Sequence, residues 1–175
     1  MKNLIPLAAL ICLLSTLGAA ATESQNEVLQ FDLGAGWKDV SHTESGKLHT
    51  VTFIREGDDA AHWKERVTYM YGANSRGQRP PRQEAEDIQK FTEKTFRHDL
   101  VDFNIIAADE TSVLYEFHTK WSAQTHEQHV ITRIVHSQHN WFDLSYVTRE
   151  PEFGADQRAQ WIKTLTDATV KTAQP

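Results

Sequence analysis

Hydrophobic and polar positions alternate along most of this chain, and the alternation predicts strands. Residues 65–71 place Val67, Tyr69 and Tyr71 on one side with Arg66 and Thr68 on the other, the period of two that a half-buried strand requires. Residues 48–55 are β-branched and aromatic and read as a strand. Residues 31–33 read as a short strand before the turn Gly34-Ala35-Gly36, and Trp37 opens an edge strand. In the second half, 100–107, 112–121, 126–136 and 141–148 form a meander. There Val113, Tyr115, Phe117 and Trp121 share one face, Val130, Thr132 and Ile134 another, and Phe142, Leu144 and Tyr146 a third.

Two segments carry the helical period instead. Residues 82–98 repeat Ala85, Ile88, Phe91 and Thr95, joined by Thr92 or Phe96, at three-to-four spacing. Pro81 suits the first turn, with Glu84, Glu86 and Asp87 near the start and Arg97 and His98 near the end, as the helix dipole favours. Residues 155–170 place Ala159, Ile162, Leu165 and Thr169 on a stripe with Trp161 at its flank. Residues 60–64 offer one helical turn capped by Asp58 or Asp59, 72–81 are a loop by content, and 22–30 and 171–175 are expected to fray. The order β-β-β-α-β-β-β-β-α, with short turns between sequential strands, predicts an α+β fold. It is a single domain over 22–175, with an antiparallel sheet of about six to seven strands and two main helices packed on it.

Composition narrows the function. The 175 residues carry 18 Lys and Arg against 24 Asp and Glu, a net charge of −6, so the chain lacks the basic face that nucleic-acid phosphates require. Residues 1–21 read as a secretory signal: Lys2, an apolar run from Leu4 to Leu17, then Gly18-Ala19-Ala20-Ala21, with cleavage near Ala20 or Ala21. A periplasmic or secreted location follows. The single cysteine, Cys12, lies inside that run, so the mature chain has no thiolate for a disulfide, a zinc site or a nucleophile. No later segment is apolar enough to span a membrane.

The element order, Gly36-Trp37 at the first strand, and His62-Trp63-Lys64-Glu65-Arg66-Val67-Thr68 leading into the third together resemble the Mog1/PsbP-like group over about residues 29–170. The resemblance implies a small αβα domain around an antiparallel sheet and a binding or accessory role. The group shares no catalytic motif, so it carries no catalytic residue over to this chain.

Catalytic motifs are missing by sequence: there is no Gly-x-Ser-x-Gly elbow, phosphate loop or dinucleotide fingerprint. Histidine is the unusual feature, nine in all, with His118, His126, His129, His136 and His139 close together. His126-Glu127-Gln128-His129 fails the zinc-protease spacing, because Val130 stands where the second histidine belongs. If residues 122–125 are a four-residue loop, His118 faces His129 across the hairpin, on the face opposite Tyr115 and Phe117. Lys120 and Glu127 then share that side, with Glu116 further along.

Polar residues on a solvated sheet face are the plain reading of that cluster. The chemical one is a metal set of His118, His129, Glu127 and Glu116 that takes Zn²⁺ or Cu²⁺. No cofactor is otherwise expected. Arg76, Arg79 and Arg82 make the 72–81 loop basic and are the expected partner-binding residues. The five tryptophans could line a ligand or sugar cleft, although aromatic residues on strands more often fill a core.

The sequence therefore points first to an exported, non-enzymatic binding or accessory protein, such as an inhibitor or immunity-type partner of another envelope or secreted protein. The alternatives are a metal-binding protein using the His-rich hairpin and a hydrolase whose site no motif reveals.

Overall fold

The computed structural model describes residues 27–74, 79–120, 126–150 and 153–172. Within them the elements are β1 (Glu27–Gln30), β2 (Trp37–Ser45), β3 (Leu48–Arg55), β4 (Glu65–Ala73), α1 (Pro81–Phe96), β5 (Leu100–Ala108), β6 (Ser112–Thr119), β7 (Gln128–His136), β8 (Asn140–Thr148), α2 (Ala155–Asp167) and β9 (Thr169–Thr172), with a 3-10 turn at Arg97–Asp99. The fold is α+β. Seven strands form one antiparallel sheet in the order β2-β3-β4-β8-β7-β6-β5, and β1 pairs with β9 in a separate ribbon.

The sheet is two meanders joined edge to edge. β2-β3-β4 and β5-β6-β7-β8 each follow chain order, and the long-range pairing of β4 with β8, Val67 opposite Tyr146 and Tyr69 opposite Leu144, unites them. Gly46-Lys47 links β2 to β3 as a two-residue loop, with Gly46 at φ +63°, the conformation such hairpins demand at their first position.

Alternation along the strands sends neighbouring side chains to opposite faces, and each face has its own helix. Val113 and Tyr115 of β6 pack with Ala85 of α1, together with Ile134. Leu114, between them in sequence, packs with Trp161 and Leu165 of α2, alongside Val67, Ile131, Phe142, Leu144 and Tyr146. Helix α1 rests on β5, β6 and β7. On the same face, beyond it, Trp63 covers Ile54, Val130 and Val147.

Several expectations change. Residues 27–30, expected to fray, form β1, held by β9 and by buried Leu29. Helix α2 stops at Asp167, and residues 169–172 extend to pair with β1. The guanidinium of Arg133, rising from β7, terminates the helix: its Nη1 donates to the carbonyls of Leu165, Thr166 and Ala168 at 2.8, 2.7 and 2.8 Å. That cation meets the negative end of the helix dipole. Trp161 is central to the α2 stripe, stacked at 3.9 Å on Tyr146, whereas Ala159 is exposed. In α1, Thr92 is buried and Phe91 is 67% exposed. Residues 31–33 are not a strand, and 60–64 form bends without a helical turn. No helix among the described residues is long and apolar enough to cross a membrane.

Candidate functional site

The β6–β7 hairpin has the expected register: His118 lies opposite His129, and Thr119 opposite Gln128. The two imidazoles stack with centroids 3.9 Å apart and planes inclined by 15°. Their in-plane lone pairs therefore run side by side rather than towards one point, the opposite of what tetrahedral coordination asks.

His118 Nε2 is 3.5 Å from a Glu127 carboxylate oxygen, near enough for charge attraction but too far for a sound hydrogen bond. It is buried, with no hydrogen-bond partner among the described residues. Glu116 is committed elsewhere. Arg158 of α2 grips it with two bonds of 2.7 and 2.6 Å, and Asn104 adds a third at 3.2 Å. Burial raises the Glu116 pKa, but these donors outweigh it and hold the carboxyl below its usual value. Burial first, then the charge of His118, lowers the pKa of His129.

Among the described residues no three His, Cys, Asp or Glu side chains converge as a metal-holding group. The face is not the solvated one expected: His118 and His129 are half-buried beneath Phe153 and Arg158, beside a cavity of about 220 Å³.

The basic loop is likewise changed by its surroundings. Arg79 pairs with Asp87 at 3.5 Å and Arg82 with Glu86 at 3.2 Å, so helix α1 answers both cations with its own carboxylates. Arg76 lies outside the described residues.

A larger groove, about 770 Å³, lies on the α2 side of β2, β3 and β4, between the sheet and β1. Its floor is a ladder of rings. His49 stacks on Tyr71 (4.7 Å, 9°), Tyr71 on Tyr69 (5.1 Å, 24°), and Tyr69 on Phe142 (6.4 Å, 8°). Register explains the ladder: His49 opposes Tyr71, Val51 opposes Tyr69, and Tyr71 opposes Phe142.

Tyr69 anchors the near wall, its hydroxyl accepting from the Leu29 amide at 3.3 Å. Burial pushes that phenol up to about 12. Lys47, His42 and Glu27 supply polar groups around the rim. Gly72 lets the floor close: a Cβ there would come within 2.9 Å of the Lys47 carbonyl oxygen and 3.2 Å of Trp141 Nε1.

The volume lies within the range of ligand sites, and half-buried tyrosines on a rigid sheet suit an interface anchor. The alternation that predicted strands also placed Tyr69 and Tyr71 on one face, but the stack with His49 and Phe142 needs the β3–β4 and β4–β8 pairings. The tryptophans do other work. Trp63 and Trp161 are buried, Trp37 packs edge-on against Trp161, Trp141 meets Gly72, and Trp121 lies outside the described residues.

No protein-family model matches the chain, and no curated protein does. Among solved structures, the human StarD13 (DLC2) lipid transfer and protein localization domain matches with 8% identity over 75% of this chain and 83% of that one. Its TM-score of 0.25 carries no argument about fold or function.

Proposed function

We propose that this chain is an exported, periplasmic, non-enzymatic binding protein of the Mog1/PsbP-like kind. Its partner, a segment of another envelope or secreted protein, would seat on the ring ladder of His49, Tyr71 and Tyr69. The carrying observation is the groove itself: about 770 Å³, open, and floored by stacked rings that the core leaves half-exposed. Tyrosine supplies large contact area with few rotatable bonds and a polar tip, which favours it as a hot spot of protein recognition. The leader-like residues 1–21 support export. Arg79 and Arg82 are not among the residues lining this groove and are paired with the α1 carboxylates Asp87 and Glu86, so they are not its anchor.

The test uses residues 22–175 as bait in envelope extract, with bound proteins quantified by mass spectrometry, with and without chelator. A Tyr71→Ala bait and an Arg79→Ala/Arg82→Ala bait run beside it. The expected result is one near-stoichiometric partner that survives chelation, is lost from Tyr71→Ala, and is retained by the arginine variant. A partner equally retained by Tyr71→Ala refutes the groove. A partner lost on chelation, or in His118→Ala and His129→Ala, would move the function to the histidine hairpin and its metal reading.

A further inference from the structure

On the opposite side of the sheet, two arginines share one tryptophan. The Arg66 guanidinium carbon lies 4.4 Å from the centre of the Trp63 ring, and that of Arg149 lies 3.8 Å away. The fold builds this arrangement firmly. Trp63 is 7% exposed and wedged on Ile54, Val130 and Val147. Arg66 stands in β4 opposite both Ile54 and Val147, and the Arg149 amide donates to the Lys64 carbonyl at 2.8 Å.

Neither guanidinium has an ion pair or hydrogen bond among the described residues, and the Nε of each is buried without a partner. Nearby carboxylates are engaged elsewhere. Glu65 binds Arg55, Glu150 binds Lys64 at 3.2 Å, Asp58 accepts from the Lys64 amide, and Asp59 caps Ala61 and His62.

Arginine keeps its charge, so two cations stand together, half-buried and uncompensated, in a chain whose net charge is −6. The aromatic ring offsets part of that cost and fixes both planar groups. Both arginine residues are partly exposed. Along the same face the next positions, Thr52, Thr68 and Ser145, are hydroxyl side chains opposite one another in register. Helix α1 rests on β5, β6 and β7, and Thr52, Thr68 and Ser145 are partly exposed.

We propose that Arg66 and Arg149, held on Trp63, form a receptor for a phosphate group, whose negative charge answers the two guanidiniums and whose oxygens accept from their forks. A small phosphorylated solute and an anionic lipid headgroup both present this group, and the recognition chemistry is shared. The site lies on the other face from the tyrosine groove and stands or falls independently of it.

The test titrates residues 22–175 with inorganic phosphate, reading the thermal midpoint and tryptophan fluorescence against chloride at matched ionic strength. In parallel the protein is sedimented with phosphatidylglycerol/phosphatidylcholine vesicles and with phosphatidylcholine vesicles alone. The variants are Arg66→Gln, Arg149→Gln and, as a control, Arg79→Gln.

The expected result is a phosphate-dependent rise in midpoint, or sedimentation with the anionic vesicles only. Affinity should weaken at least tenfold in Arg66→Gln and in Arg149→Gln and stay unchanged in Arg79→Gln. The ligand-free midpoint of the two site variants should hold or rise, because each removes an uncompensated charge. Binding of free phosphate identifies a solute site, and binding of vesicles alone a headgroup site. Failure of both arms overturns the proposal, as does wild-type affinity in both site variants. A marked fall in their ligand-free midpoint with no ligand response in the wild type would make the arginines structural.

Discussion

Replacing Arg133 by methionine should remove the C-terminal cap of α2 while keeping a flexible apolar stem in its half-buried path. One nitrogen, Nη1, approaches three carbonyls between 2.7 and 2.8 Å. It carries two hydrogens, so the three contacts amount to two full charge-assisted bonds, one of them shared. At about 1.5–3 kcal/mol each, less what water recovers at exposed Thr166, the loss comes to roughly 2–4 kcal/mol. For a domain of this size that is a fall of roughly 4–16 °C in the thermal midpoint.

The cap also sets the direction of the chain as it leaves α2 for β9, and β9 is the strand that holds β1. Hydrogen exchange should therefore accelerate first at residues 169–172 and 27–30. Arg133→Lys, which keeps a charge but loses the fork, should fall between the two. Urea unfolding of the three proteins checks the ranking. A loss below about 0.5 kcal/mol in Arg133→Met would refute the capping argument, because ordinary surface substitutions lie within that range.

Gly72→Ala should cost about 1–3 kcal/mol, because the new methyl meets the backbone oxygen of Lys47 at 2.9 Å and one of the two strands must shift; denaturant melts and partner binding should suffer together. Tyr146→Phe removes a phenol that donates to Glu65 and accepts from Gln157 at 3.0 Å while leaving the stack on Trp161, so equilibrium unfolding should show a loss of about 1–3 kcal/mol. Acidification should destabilise the fold in two stages. His129 titrates below its ordinary 6.5, so the unfolded chain binds the proton first and stability declines as pH falls from about 7 through the folded value. Glu65 and Glu116 are both held below 4.5 despite burial, Glu65 chiefly by Arg55 and Glu116 by Arg158, so a further loss follows as pH falls through their folded values. In His129→Asn, thermal melts across pH should lose the upper stage and keep the lower.

Local pattern carried much of the architecture. The period of two placed β3, β4 and the β5–β8 meander, and with an assumed four-residue loop it set His118 opposite His129, the register the strands have, because a slip by one would turn the buried face outward. The helical period located α1 and α2 for the same reason.

What a side chain meets across non-adjacent strands or from a covering helix was not legible. Glu116 looked available until Arg158 descended on it from α2, and the loop arginines looked free until α1 presented Asp87 and Glu86. Residues 27–30 and 169–172 are short and polar, so neither segment signals a strand alone, and each becomes one only beside the other.

The amino-acid sequence thus determined the strands of the main sheet and the two helices, which depend on neighbours within a few residues, and the acidic balance, which is composition alone. The tertiary structure alone decided the β4–β8 junction, the tyrosine ladder and the paired arginines on Trp63, because each brings together groups many residues apart in the chain, and only the completed sheet fixes the distances between them.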